Sequence, residues 1–304
     1  MNPKLKRKIK KITDIRFKEH VAFPWIGSKQ EKPLYVIRLF YGEGLLSMLY
    51  SACGQAYHAS VNGYIPYVDM AHFRTQYYMG RNANAWEEFF TQPTEYQNYM
   101  SRLSYKKILS CFSPPDYEDG NLFTQHDFAR FSDKKQIFDS FFSVNEEIRK
   151  EVDTLAEELG IFECIGLYAR GTDYAALKPT SHNIQPTIDE LIEKCSEFIM
   201  KYNQKVFVVT EDKKIYSSLK DKFGDSIISF PNDIHFDTNN ERKPLFKSLR
   251  EVDKISVAKV YLKKILLLSK CKYLIGGRTN GSLWACIFND EKYEDVCLFN
   301  KGIY

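Results

Sequence analysis

Arg170 and Asp173 stand three residues apart in Tyr168-Ala169-Arg170-Gly171-Thr172-Asp173, just after an apolar run that ends at Ala169. A guanidinium is planar and permanently charged, and it can hold a phosphate through two parallel N–H donors. Gly171 lets backbone come close to a ligand. Asp173 either orients the arginine or accepts from a sugar or ribose hydroxyl. A purely structural Arg–Asp pair is the alternative, but a strand's carboxyl end is where open α/β sheets bind ligands, and this favours function. A second set, Gly276-Gly277-Arg278-Thr279-Asn280-Gly281-Ser282, leads from another apolar run into a helix. Backbone N–H groups and hydroxyls at a helix start form an anion site, with Arg278, Thr279, Asn280 and Ser282 as candidates. Equally, the stretch is a capped helix start with Ser282 as cap. It is neither a P-loop nor a dinucleotide fingerprint, which disfavours a dinucleotide-dependent oxidoreductase. Thr210-Glu211-Asp212 also follows an apolar run, and there capping by Thr210 or Asp212 is the stronger reading. Glu43, between Gly42 and Gly44, is either a solvated turn residue or a general base facing a cleft. The six histidines lack metal spacing, no Cys/His cluster exists and no D-x-D occurs, so no metal site and no cofactor are expected.

These residues need elements to hold them. Leu34–Leu39 reads as a strand, Tyr41–Gly44 as a turn, Leu45–Val61 as a helix with small residues on one side, and Tyr64–Asp69 as a second strand, the opening of a doubly wound domain. Residues 70–132 are irregular, with a strand expected near Lys107–Phe112. Ile148, Val152, Leu155 and Leu159 define the apolar face of a helix capped near Asn145. Beyond it, strands at 164–169, 206–210, 227–230, 273–275 and 296–299 alternate with helices at 186–202, 213–223, 252–269 and 283–288. That alternation predicts a parallel sheet. The expected division is a basic leader at 1–32, an α/β domain at 33–160 and a Rossmann-like domain at 161–304.

Composition sets the bounds. The chain has 304 residues and is 44% hydrophobic and 15% aromatic, enough for sizeable cores, with aromatics that fill them or line sugar and nucleotide sites. Net charge is +4, but residues 1–20 alone carry +6, which leaves the remainder at −2 and argues against nucleic acid as a partner. The basic leader, with Leu5, Ile9 and Ile12 at helical spacing, is either a frayed terminus or a peripheral contact with an anionic membrane. Seven scattered cysteines without a C-x-x-C pair, no span of apolar residues long enough for a membrane and no signal-peptide pattern point to the cytoplasm.

With these residues in hand, the chain resembles the metal-independent, GDP-fucose-type glycosyltransferases of GT-B fold: α-1,6-, bacterial α-1,2- and protein O-fucosyltransferases. Their strand ending in His-x-Arg-Arg-Gly/Thr-Asp is matched by Tyr168 to Asp173, with the first family Arg on Arg170. A later family block matches Leu268-Ser269 through Leu274-Ile275 to Thr279-Asn280, and Gly63-Tyr64-Ile65-Pro66 resembles the first domain. The resemblance implies an α/β chain of two Rossmann-like domains facing a cleft, a GDP-sugar donor, a glycan acceptor and inverting transfer without metal. It makes 33–160 the acceptor side and 161–304 the nucleotide-sugar-binding domain, and places Tyr168, Arg170, Gly171, Thr210, Glu211, Arg278, Thr279, Asn280 and Ser282 at the donor. Arg170 becomes the stabiliser of the leaving phosphate, and Glu43, or failing it Asp173, the base, Glu43-Gly44 matching the Glu-Gly of one protein O-fucosyltransferase branch. Three positions depart from the pattern: Tyr168 replaces the family's His, Gly171 its second Arg, and Lys264 an Asp near the base or ribose. Transfer of another GDP-linked deoxysugar or heptose, and a non-catalytic nucleotide- or glycan-binding scaffold, are the alternatives.

Overall fold

The computed structural model describes residues 20–22, 32–97, 107–111, 121–123, 127–171, 180, 182–237 and 254–304. The chain divides into two compact units, Met1–Asp127 with Asp133–Asn145, and Phe128–Ser132 with Glu146–Tyr304.

The first unit is built on four strands, β1 (His20–Ala22), β2 (Leu34–Ile37), β3 (Ile65–Val68) and β4 (Ile108–Cys111), in the order β1-β4-β2-β3. β4, β2 and β3 run parallel, whereas β1 pairs antiparallel with β4. β1 lies inside the stretch read from the sequence as a leader. The membrane contact expected of residues 1–20 falls, apart from His20, outside the described residues. No described helix is long and apolar enough to cross a membrane. Helix α1 (Leu45–Val61) packs on β2 and β3 and buries Ala52, Cys53, Gly54 and Ala56, the small side chains that let a helix sit close to a sheet. Leu34, Val36 and Ile65 form the core of the opposite face with Tyr67, Phe73, Tyr96 and Ile108. After the one-turn helix α2 (Thr94–Gln97), helix α3 (Phe131–Phe141) brings Phe138 onto Phe90. Phe90 also packs on Trp86, which lies in the 3-10 turn Ala85–Glu88. That aromatic cluster is the order hidden in the irregular stretch 70–132.

The second unit holds five parallel strands, β5 (Ile165–Ala169), β6 (Val206–Thr210), β7 (Ile227–Ser229), β8 (Tyr273–Gly277) and β9 (Asp295–Phe299), in the order β7-β6-β5-β8-β9. β5, β6 and β8 are buried along their whole length, as expected of strands covered on both faces. Helices α5 (Ile188–Tyr202) and α6 (Lys213–Phe223) cover the face presented by Ile165, Leu167, Val206, Val208 and Ile275. Helix α7 (Lys254–Leu268) covers the other face; a Cβ at Gly166 would lie 3.0 Å from Leu268 Cδ2, so the strand needs glycine there. Helix α4 (Glu146–Leu159) packs on α7, with ion pairs from Glu151 to Lys263 and from Asp153 to Lys270, and helix α8 (Asn280–Asn289) packs beside α7. β8 runs on through Gly276 and Gly277, and α8 starts at Asn280, three residues earlier than its apolar pattern predicts.

Candidate active site

The order β7-β6-β5-β8-β9 reverses direction between β5 and β8. An open α/β sheet binds ligands at such a switch point, in the crevice at the carboxyl ends of the strands. The strand ends decide which residues reach it. β5, β6 and β8 are neighbours that end at Ala169, Thr210 and Gly277, so the first residues beyond their carboxyl ends are Arg170, Glu211 and Arg278. Two of the three are cations, and the two arginines flank the switch point. Arg170 Nε lies 3.3 Å from Glu211 Oε1, with side-chain exposures of 25% and 16%. Gly171 is buried, and a Cβ there would fall on the Asp212 side chain, so glycine is required for the chain to leave β5 beside that carboxylate. Asp173, with Thr172, lies outside the described residues.

The second glycine-rich turn is held from below. The Tyr168 ring is 1% exposed, its hydroxyl meets that of Tyr261 at 3.1 Å, and a Cβ on Gly281 would enter the ring. Burial pushes the phenol of Tyr168 above its usual range. Expected at the donor, this side chain instead props the start of α8 from within the core. Ser282 also differs from expectation. It is fully buried, and Thr279, not Ser282, is the N-cap: the Thr279 hydroxyl accepts from Gly281 N, while Ser282 Oγ accepts from Thr279 N and donates to Gly277 O. Both hydroxyls are thus occupied by the capping box. Arg278 and Asn280 remain partly exposed at the turn, and the Arg278 guanidinium lies 5.3 Å from the Phe128 ring centroid. Its Nε is buried without a hydrogen bond.

At the end of β6 the capping reading holds. Asp212 accepts from Lys214 N and Ile215 N, and Thr210 Oγ1 accepts from Asp212 N, which leaves Glu211 as the residue of this trio that faces Arg170. Sequence reasoning missed what lies beyond. Lys264 forms an ion pair with Asp233, their side chains 10% and 3% exposed. Asp233 Oδ2 is 3.6 Å from His235 Nε2, and the His235 ring stacks on Tyr216 at 4.1 Å. The lysine that departs from the family pattern is therefore matched by a carboxylate on the loop after β7. The available signal was the position of Asp233 just past a strand's carboxyl end. Gln185 was missed too: it donates to Asn183 O and Arg278 O, and a Cβ at Gly277 would fall on its Oε1.

In the first unit Glu43 follows β2 at the entry to α1. A turn bond from Glu43 N to Phe40 O sets the backbone, and Gln76 Nε2 donates to Glu43 O. Tyr77 Oη accepts from Leu45 N, so the segment after β3 is fastened over this turn. Burial raises the Glu43 pKa above 4.5, against a smaller lowering from the Ser47 hydroxyl, and Oε2 is buried without a hydrogen bond. Among the described residues no group of three or more His, Cys, Asp or Glu is placed to hold a metal ion.

No family model matches the chain, and no curated protein sequence matches it. Solved structures do. One is NodZ alpha-1,6-fucosyltransferase soaked with GDP-fucose, with 16% identity, a TM-score of 0.51, and 84% of this chain and 93% of that chain covered. Another is fucosyltransferase NodZ from Bradyrhizobium, with 16% identity, a TM-score of 0.50, and 84% and 92% covered. The chain has the fold of these fucosyltransferases: α/β, with two Rossmann-like units, the GT-B class the sequence pointed to.

Proposed function

We propose that this chain is an inverting glycosyltransferase that uses GDP-fucose and a glycan acceptor, with Arg170 holding the leaving diphosphate. The observation that supports this most is that the strands on either side of the switch point, β5 and β8, are each followed directly by an arginine, Arg170 and Arg278, in a fold shared with a fucosyltransferase. The acceptor hydroxyl attacks the sugar's anomeric carbon, the bond to the β-phosphate oxygen breaks, and GDP leaves. Negative charge grows on the diphosphate as that bond breaks, and fixed cations placed there before reaction stabilise it. Arg170 supplies a fork kept in place by Glu211, and Arg278 with Asn280 borders the turn into α8. Glu43 takes the acceptor proton. Its raised pKa suits it to that task, because a base works best when its pKa approaches the working pH. Among the described residues six cysteines are free, five of them buried, which supports a reducing compartment such as the cytoplasm.

The experiment is transfer from GDP-fucose to a glycan panel as a function of pH. The base must be deprotonated, so activity should fall as pH drops through the Glu43 pKa, on a limb lying above the ordinary 4.5. Glu43→Gln should lower transfer about 10²- to 10⁴-fold, remove that limb and leave GDP affinity unchanged. Unimpaired transfer by Glu43→Gln would remove Glu43 as base. The scaffold is the second reading, favoured by the way Tyr168 and Lys264 are both taken up by internal partners. Nucleotide binding without turnover across GDP-linked donors, heptose included, would select it.

A further inference from the structure

The loop after β7 carries more buried charge than a connection needs. Residues 230–237 leave a strand at the edge of the second unit's sheet, yet Asp233 is 3% exposed in its side chain and is bound by Lys264, which reaches it from the middle of α7. Burying an ion pair costs desolvation that the attraction repays only in good geometry, and removing one partner strands the other charge. A pair of this kind holds its two elements in one arrangement. The arrangement it holds includes the site. Phe236 N donates to Glu211 O at 2.8 Å and Lys213 N donates to Phe236 O at 3.1 Å, a parallel bridge between Phe236 and Asp212. Glu211 in turn holds Arg170 at 3.3 Å. An unbroken line of contacts therefore runs from α7 through Asp233, the loop backbone and Glu211 to the Arg170 guanidinium.

We infer that the Asp233–Lys264 pair is a latch whose role is to position Arg170, acting through the backbone ladder at Phe236 and the carboxylate of Glu211. Asp233 and Lys264 are positioning residues, not catalytic ones. His235 adjusts the latch because its Nε2 faces the second oxygen of Asp233 at 3.6 Å. The groups around that ring are Asp233 on its own loop, Lys264 on α7, and Tyr216 and Asp212 on and before α6. Burial and the Lys264 charge lower its pKa below 6.5, more than Asp233 and Asp212 raise it. A folded pKa below the unfolded value means the present arrangement disfavours the protonated ring. The latch is thus intact above pH 6.5 and is weakened as pH falls below it.

The inference rests on the donor-phosphate reading of Arg170, and two measurements separate the two. Hydrogen exchange on the ligand-free full chain reads the latch directly. Asp233→Asn should speed exchange at the amides of Phe236 and Lys213 at least about tenfold. Acidification from pH 7 to about pH 5.5, after correction for intrinsic rates, should speed it severalfold and by no more than about eightfold, the ceiling for one histidine that titrates at 6.5 when unfolded, with His235→Gln abolishing the pH effect. Titration with GDP reads the consequence. Asp233→Asn and Lys264→Met should each raise the GDP Kd about 10- to 100-fold, on the scale of a misplaced binding group, and the exchanged pair Asp233→Lys with Lys264→Asp should recover part of it. In an Arg170→Ala background, Asp233→Asn should add almost nothing, because groups in one chain of contacts are not additive. Unchanged exchange in Asp233→Asn overturns the latch, and so does a full additive loss on top of Arg170→Ala. If wild type takes up no GDP, the donor reading falls and with it the part of the latch that concerns Arg170, while the exchange data still decide whether the loop is latched.

Discussion

Arg170→Ala is expected to cost about 2.7–4 kcal/mol of transition-state stabilisation, a fall of about 10²- to 10³-fold in kcat, the scale of one lost oxyanion donor. The size follows from its position. Arg170 stands beside the switch point, the first residue beyond β5, as Glu211 and Arg278 are beyond β6 and β8. Without its guanidinium, Glu211 also loses the cation 3.3 Å away, and on the proposed reading its carboxylate would repel the leaving diphosphate. Arg170→Lys should fall between the two, since an ammonium keeps the charge but not the two-pronged donor. Single-turnover transfer at saturating GDP-fucose checks the prediction, because it isolates the chemical step from donor binding. A near-native single-turnover rate in Arg170→Ala would remove Arg170 from the reaction.

Gly281→Ala has the second-largest expected effect, this time on stability. An added Cβ would enter the Tyr168 ring, which is 1% exposed and bonded to Tyr261. The ring has nowhere to go, so the first turn of α8 must shift, against a capping box tied to Gly277 O. Forced overpacking of this kind costs about 1–3 kcal/mol. Gly42→Ala is the matched control: a Cβ added there would meet nothing within 4 Å, so the change should stay within about 0.5 kcal/mol. Denaturant unfolding of both variants reads the difference. Equal midpoints would mean that Tyr168 is not a rigid prop, and would reopen a donor role for its side chain.

Much of the second unit could be read from the sequence because its strands are buried on both faces. Val206–Thr210 and Tyr273–Ile275 are apolar runs bounded by turn residues, and the helix that follows Val206–Thr210 carries a cap legible at Asp212. The start of α8 was misplaced for a physical reason. Gly276 and Gly277 look like a loop, yet they are paired strand residues where Tyr168 O and Gln185 press close and no side chain fits. The first unit was harder. β1 is three residues long and, among the described residues, pairs only with β4, so local sequence carries little of it. The aromatic cluster around Trp86 and Phe90 is assembled from residues some fifty positions apart and has no local period. Arg170 stands out in the sequence because it is a permanent cation directly after a fully buried strand. Asp233 does not, because its meaning depends on Lys264, 31 residues away on α7.

The most direct test of the central claim, that Arg170 holds the diphosphate of a GDP-sugar, is a thermal-shift titration of wild type and Arg170→Ala with GDP, UDP, CDP and ADP. Each is run with and without Mg²⁺. A ligand present at 100 times its Kd stabilises by about 2.7 kcal/mol. The predicted result is a shift of wild type by GDP above the other nucleotides, independent of Mg²⁺ and largely lost in Arg170→Ala. A preference for UDP, or an equal GDP shift in the Arg170→Ala variant, would contradict it.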